Sequence, residues 1–255
     1  MVKANINGTK IAYEELGNGA PLVLIHGYPL DHTIWDEIAP LLDHEFHLIL
    51  PDLRGFGQSD IKEADNSISG YASDIQGLLK HLKIKKAFLA GHSMGGYVAL
   101  AFARKYPDEV SGLALISSQA AADSSERKQG RYATGKQVLA EGVNTVVESM
   151  TPKLSADKRI QSYVRELISR QKPQGISNAL AAMAERPDSA DLLPTLRFPL
   201  IIVHGDADEL IPIERGREMK AALPNAHYME LPSTGHMPMM ENPHVVAEAL
   251  HFLIK

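Results

Sequence analysis

The chain has 255 residues, 44% hydrophobic and 22% charged, the balance of a folded globular protein rather than a disordered one. Its formal net charge is -5 with no block of like charge, which gives a nucleic-acid or anionic-membrane partner no electrostatic footing. Cysteine is absent, so disulfides, thiolate metal sites and a cysteine nucleophile are excluded.

The opening residues lack the apolar core of a signal peptide. Apolar runs such as 22–25 and 200–203 fall far short of the ~20 residues that span a bilayer, so a cytoplasmic, membrane-free protein is expected. Strands are predicted at 2–6 and 10–15, joined by Asn7-Gly8, a strong hairpin signal. Short apolar runs at 21–25, 46–50, 86–90 and 110–116 have the character of parallel strands buried on both faces. Helical patterns at 33–42, 67–82 and 93–106 lie between them, and this alternation reads as βαβ units around a mostly parallel sheet. From about 121 to 193 the strand rhythm stops, and helices are expected at 126–140, 143–150, 156–170 and 176–184. Strands return at 199–204 and 227–231, with helices at 213–223 and 243–253. The expectation is one α/β domain over residues 1–255, with a helical cap inserted at 121–193.

The most informative stretch is Gly91-His92-Ser93-Met94-Gly95, a Gly-x-Ser-x-Gly between a predicted strand and a predicted helix. So sharp a turn forces a strained backbone at the central residue, and a Cβ at either flanking glycine would collide with the neighbouring chain. The serine hydroxyl is thereby raised at a helix N-terminus, where orphan amides and the helix dipole favour developing negative charge. A phosphate-binding turn is the competing reading. The dinucleotide and Walker patterns it would require are both missing.

A nucleophilic serine needs a base, and the base an orienting acid. Of 11 histidines, His44, His47, His81, His227, His244 and His251 fall in or near predicted elements and read as bystanders. His26 and His92 sit too close to their own turns to swing freely onto Ser93. His236 lies in the loop after the last predicted strand, at the sheet edge where open α/β folds gather their sites. Two aspartates compete for the acid in the loop after 199–204. Asp208 lies deeper in the loop and faces back to the site, whereas Asp206 suits an Asx-type turn.

Five stretches carry a resemblance: His26-Gly27-Tyr28-Pro29, Asp52-Leu53-Arg54-Gly55-Phe56-Gly57-Gln58-Ser59, Gly91-His92-Ser93-Met94-Gly95-Gly96, Gly205-Asp206-Ala207-Asp208, and Gly235-His236. The chain resembles the α/β-hydrolase fold family along nearly its whole length, and within it small serine esterases, cofactor-free haloperoxidases and ring-cleavage hydrolases. The order Ser93, Asp208, His236 matches that family's. The resemblance supports Asp208 as the acid and implies an oxyanion hole from the backbone N–H groups of Tyr28 and Met94. It gives Asp52 and Arg54 a bracing role only, and Trp35 reads as core.

The leading expectation is a carboxylic ester hydrolase acting on a small-molecule ester through an acyl-enzyme, with no metal or organic cofactor. Perhydrolase or haloperoxidase, lactonase and carbon–carbon hydrolase activities keep the same triad. Epoxide hydrolases and haloalkane dehalogenases use a carboxylate where this chain has Ser93. A non-catalytic ligand sensor is the alternative of a different class. Met150, Met183, Val138, Leu139 and Leu167 of the insertion are candidates for pocket or cap core.

Overall fold

The computed structural model describes residues 1–62 and 65–255. The hairpin forms as expected, β1 (Val2–Ile6) pairing antiparallel with β2 (Thr9–Leu16). Asn7 and Gly8 both take positive φ (51° and 82°), the left-handed pair that matches the twist of a two-residue hairpin. β3 (Ala20–Ile25), β4 (Phe46–Pro51), β5 (Ala87–His92), β6 (Val110–Ile116), β7 (Leu200–Gly205) and β8 (His227–Leu231) complete an eight-stranded sheet in the order β1-β2-β4-β3-β5-β6-β7-β8. From β4 to β8 every neighbouring pair is parallel.

That order dictates where a site can form. The chain runs from β3 leftward to β4, then back across β3 to β5 and onward to β6. Right-handed crossovers then place α1 (Ala39–Leu42) on one face, and α2 (Ile68–His81) and α3 (Met94–Lys105) on the other. Consistent with this, α2 packs on α3, while α1 packs on α10 (Pro243–His251). The direction of winding reverses between β3 and β5, which opens a crevice beyond their C-terminal ends. The loops carrying Tyr28 and Ser93 leave from those two strands.

The expected single helix at 33–42 is divided. Residues His32–Trp35 form a 3-10 turn whose first amides are capped by Asp31, which accepts from Thr33 N–H at 3.1 Å. α1 then starts afresh with Pro40 in its first turn. A continuous helix would have placed that proline in its interior, clashing with the carbonyl of Asp36.

Four helices separate β6 from β7: α4 (Ser125–Glu141), α5 (Asn144–Leu154), α6 (Lys158–Ser169) and α7 (Pro173–Ala184). α5 runs past the expected end, carrying Pro152 in its last turn, and α7 begins earlier, with Pro173 in the first turn where the missing N–H costs nothing. After β7 come α8 (Ile213–Ala222) and, beyond β8, the short helix α9 (Pro238–Glu241), which has no expected counterpart.

The helical insert is stitched to the loop 52–59. Gln171 accepts from Gly57 N–H at 2.9 Å, and Lys172 donates to the Ser59 carbonyl at 2.8 Å. Between these bonds Gly175 lies backbone-to-backbone on Gly55, so close that a Cβ on Gly175 would stand 2.1 Å from the Gly55 carbonyl oxygen. Gly175→Val is therefore expected to lower stability by about 1–3 kcal/mol, the usual cost of overpacking. Gly130→Ala, in an α4 position where a Cβ meets nothing within 4 Å, should instead stabilise by a few tenths to about 1 kcal/mol. Urea unfolding of both variants checks the contrast, and an unperturbed Gly175→Val would show that the contact constrains nothing.

Candidate active site

Ser93 stands between β5 and α3 with φ 52° and ψ -115°, a conformation that costs a non-glycine residue about 1–3 kcal/mol. The surrounding glycines explain how it persists. A Cβ on Gly91 would lie 2.3 Å from the Gly95 carbonyl oxygen, and one on Gly95 would lie 2.2 Å from that of Ile25. The turn is held by Ser93 N–H on the Ile116 carbonyl (2.9 Å) and by the Ser118 hydroxyl on the Ser93 carbonyl (2.8 Å). Met94 opens α3, so its amide is among those that a helix leaves without an internal partner.

His236 follows β8 and is buried, with Nδ1 2.7 Å from Asp208 Oδ2. Asp208 Oδ1 accepts from the N–H groups of Leu210 (2.8 Å) and Ile211 (2.9 Å). Burial alone would raise the Asp208 carboxyl, but the neighbouring imidazole and the Ile211 N–H outweigh it and hold the group below the usual range. An ionised Asp208 requires the proton on Nδ1, which leaves Nε2 as the basic atom. The Asx-type role expected of Asp206 thus falls to Asp208. Asp206 reaches across instead, accepting from Ser233 N–H at 2.6 Å in the loop that leads to His236. A carboxylate bonded to i+2 and i+3 amides by one oxygen still has a second oxygen to aim, and loop position alone does not reveal this.

Three buried histidines act as struts around these groups. His26 Nε2 accepts from Leu53 N–H (2.9 Å), so Nδ1 carries the hydrogen and faces the Gly27 carbonyl at 2.9 Å, which braces the loop bearing Tyr28. His92 Nε2 lies 2.8 Å from the His236 carbonyl, and the two rings pack at 4.8 Å. His204, overlooked in the sequence because it closes a strand, bonds the Ile211 carbonyl at 2.8 Å and steadies the Asp208 loop. A further bond comes from the insert: His236 N–H donates to the Leu154 carbonyl at the end of α5 (3.0 Å). Asp52 holds His32 and the Gln58 amide, and Arg54 ties Asp74 to the carbonyls of Asp65 and Gly70, so both brace loops as expected. Trp35 is fully buried core.

Ser93, His236 and Tyr28 line one cavity of about 320 Å³. Met150 and Met183 line it too, whereas Val138 and Leu167 are buried in the insert and Leu139 is exposed. Arg127, Arg131 and Tyr97 also face it and were not anticipated. The spacing of the arginines with Thr134 along α4 was the available signal. Asp31, His32 and Asp52 bring three potential metal-ligand atoms within 4.8 Å of one another. Their atoms are engaged with each other and with backbone amides, which makes the cluster a loop brace. Among the described residues no helix is long and apolar enough to cross a membrane.

The family model described as alpha/beta hydrolase fold matches residues 20–243. The chain belongs to the α/β-hydrolase fold family. A thermophilic esterase from Thermogutta terrifontis, solved in a malate-bound form, superposes with a TM-score of 0.94 at 38% identity, covering 98% of this chain and 96% of that one. The dihydrolipoyllysine-residue acetyltransferase component of the acetoin cleaving system of Pseudomonas putida is 33% identical over 94% of this α/β-hydrolase, which spans 65% of that protein's length. The pimeloyl-[acyl-carrier protein] methyl ester esterase of Vibrio vulnificus is 28% identical over 92% of this chain and 94% of its own. The family match and the two esterases make the protein a hydrolase.

The buried histidines set its acid limit. Burial pushes His26, His92 and His204 below their ordinary value, His92 furthest because His236 adds to the effect. In each case the unfolded chain takes up its proton near pH 6.5 before the folded one does, so protonation favours unfolding, by at most about 1.4 kcal/mol per pH unit per group. At His32 burial lowers the value, but the bond to Asp52 together with the charges of Asp52, Asp31 and Glu14 outweighs it and raises the value, which offsets part of one such group. Unfolding free energy is expected to fall as pH drops from 7 to 5, measured by urea titration at each pH, and a flat profile would contradict the strut assignment.

Proposed function

We propose that this hydrolase cleaves carboxylic esters of small molecules through an acyl-enzyme on Ser93, with His236 as base and Asp208 as its orienting acid. One observation carries the reading: His236, bonded to Asp208, and the strained Ser93 at the start of α3 line a single cavity. Ser93 Oγ attacks the ester carbonyl while His236 Nε2 takes its proton, and Asp208 keeps the imidazole in the useful tautomer and offsets its positive charge. The N–H groups of Tyr28 and Met94 receive the oxyanion. They are fixed in place before charge develops, and losing one such donor typically costs about 3 kcal/mol. The leaving alkoxide takes the proton from His236, and water then attacks the acyl-enzyme by the same route. In this reading residues 1–255 form one domain and 121–193 its cap, roofing the site and selecting the substrate. The likeness to the Thermogutta and Vibrio esterases supports ester hydrolysis; no step calls for a metal or organic cofactor.

A fluorophosphonate probe is expected to label wild-type protein once, on Ser93, and Ser93→Ala to lose both labelling and hydrolysis of p-nitrophenyl acetate. Triad serines typically account for losses near 10⁶, so retention of more than about a hundredth of kcat would rule out covalent catalysis by Ser93. Asp208→Asn should lower kcat by at least about two orders of magnitude, since an amide donor favours the wrong tautomer. Asp206→Asn keeps an acceptor for Ser233 N–H and should cost less than about tenfold. The reverse ranking, in variants with unchanged thermal unfolding, would move the acid by two residues.

A further inference from the structure

α4 turns an unusual face to the cavity. Arg127, Gly130, Arg131 and Thr134 line it at i, i+3, i+4 and i+7, one continuous helical stripe. The stripe borders the cavity at its open side, Arg127 and Gly130 exposed and Arg131 and Thr134 half-buried, and it brings two guanidinium groups and a hydroxyl to that edge. Gly130 weakens the middle of the helix, and no neighbour requires its smallness: a Cβ there would meet nothing within 4 Å. Its lack of a side chain leaves open space beside the arginines.

The arginines are more than a structural ion pair requires. Asp123 is wholly buried and already served by Arg131 Nε and by Arg186 at 2.9 Å, with Arg127 Nε a third cation at 3.6 Å. Three permanent positive charges around one carboxylate leave a surplus of two. Arg186 gives Nη1 to the Met183 carbonyl and Nη2 to the Ala121 carbonyl, while its Nε is buried with no hydrogen-bond partner among the described residues, and Arg186 does not line the cavity. Arg131 NH1, by contrast, has only the Met183 thioether at 3.3 Å, a weak acceptor for a charged donor, and Arg127 has the Leu210 carbonyl at 3.3 Å. Among the described residues lining the cavity there is no aspartate or glutamate. Much of the remaining wall is apolar, from Val146, Met150, Leu180 and Ile211, and it shelters the largely covered Arg131 from solvent screening more than the exposed Arg127.

We propose that the cavity takes an ester whose far end carries a carboxylate, received by Arg131 with Arg127 beside it, so that the substrates are monoesters of short dicarboxylic acids. This rests on the Ser93 reading of the site and deepens it. The apolar wall accommodates the methylene chain, and the arginine fork matches a carboxylate in two parallel hydrogen bonds.

Monomethyl glutarate and methyl pentanoate test it, because they share the ester and the chain and differ only in a terminal carboxylate replacing a methyl. With hydrolysis followed by acid release, wild-type kcat/KM is expected to favour the monoanion by about tenfold or more, the scale of one charge-assisted hydrogen bond. Added salt should erode the preference, and glutarate should inhibit p-nitrophenyl acetate hydrolysis more strongly than pentanoate does. Arg131→Met should bring the two-ester ratio near parity. Because that change strips a partner from buried Asp123, the double variant Arg131→Met/Asp123→Asn is measured alongside it, and Arg127→Gln should reduce the ratio by a smaller factor. Equal or better turnover of methyl pentanoate by the wild type overturns the carboxylate site while leaving the esterase reading intact. If Ser93 takes no fluorophosphonate and neither ester is cleaved, the Ser93 reading fails and the carboxylate site falls with it.

Discussion

The arrangement depends on one turn. Ser93 occupies a backbone conformation that a side chain avoids, and it stays there because the chain around it comes too close to allow anything else. Gly91 and Gly95 let β5, α3 and the end of β3 approach to distances that a Cβ would forbid, and a Cβ on Gly27 would press within 3.0 Å of the Ser93 Cβ. The strain is local, but its support comes from three strands: β5 enters the turn, β6 accepts its amide, and β3 closes over it. The same contacts fix where the hydroxyl stands, at the crevice where the winding of the sheet reverses. The fold and the position of Ser93 are therefore one constraint.

The opposite side of the cavity is built differently, from side chains that report to one another. His236 is tied through its ring to Asp208, through its carbonyl to His92 and through its amide to Leu154 of the insert. Neutral imidazole suits the strut positions because it donates from one nitrogen and accepts at the other without carrying a charge into the core. His26 shows both functions at once, accepting from Leu53 and facing the Gly27 carbonyl with its hydrogen. Because α5 bonds directly to the His236 amide, the insert contributes to the alignment of that residue as well as to the walls around it.

Those walls join two chemistries. Methionine and branched aliphatic side chains supply most of the surface, and a pair of arginines on α4 supplies nearly all of the charge. The insert is anchored to the 52–59 loop by the Gly55–Gly175 contact and the bonds of Gln171 and Lys172. Fastened there and bonded to His236 through Leu154, the insert carries Arg127 and Arg131 to the same cavity that Ser93 lines.

Much of this was legible in the residues because it is decided over short stretches. Asn7-Gly8 demands positive φ at two neighbours and so a tight hairpin. Gly-x-Ser-x-Gly between a strand and a helix admits one geometry, and alternating apolar runs and helices settle a parallel sheet with its loops at one edge, where Ser93, Asp208 and His236 all fall. Other features stayed hidden because they depend on what a segment meets in space. Pro40 divides the 33–42 stretch where a continuous helix would have held it in its interior. The tasks of Asp206 and Asp208 part only when the His236 loop is brought beside them. His204, inside a strand, gains its partner from a loop seven residues on. The stripe of α4 that borders the cavity is set by the packing of the helix against α7, and because that stripe is polar no hydrophobic pattern marks it beforehand. Short-range sterics wrote the strained Ser93 turn into the sequence; only tertiary packing decided which side chains line the cavity beside it.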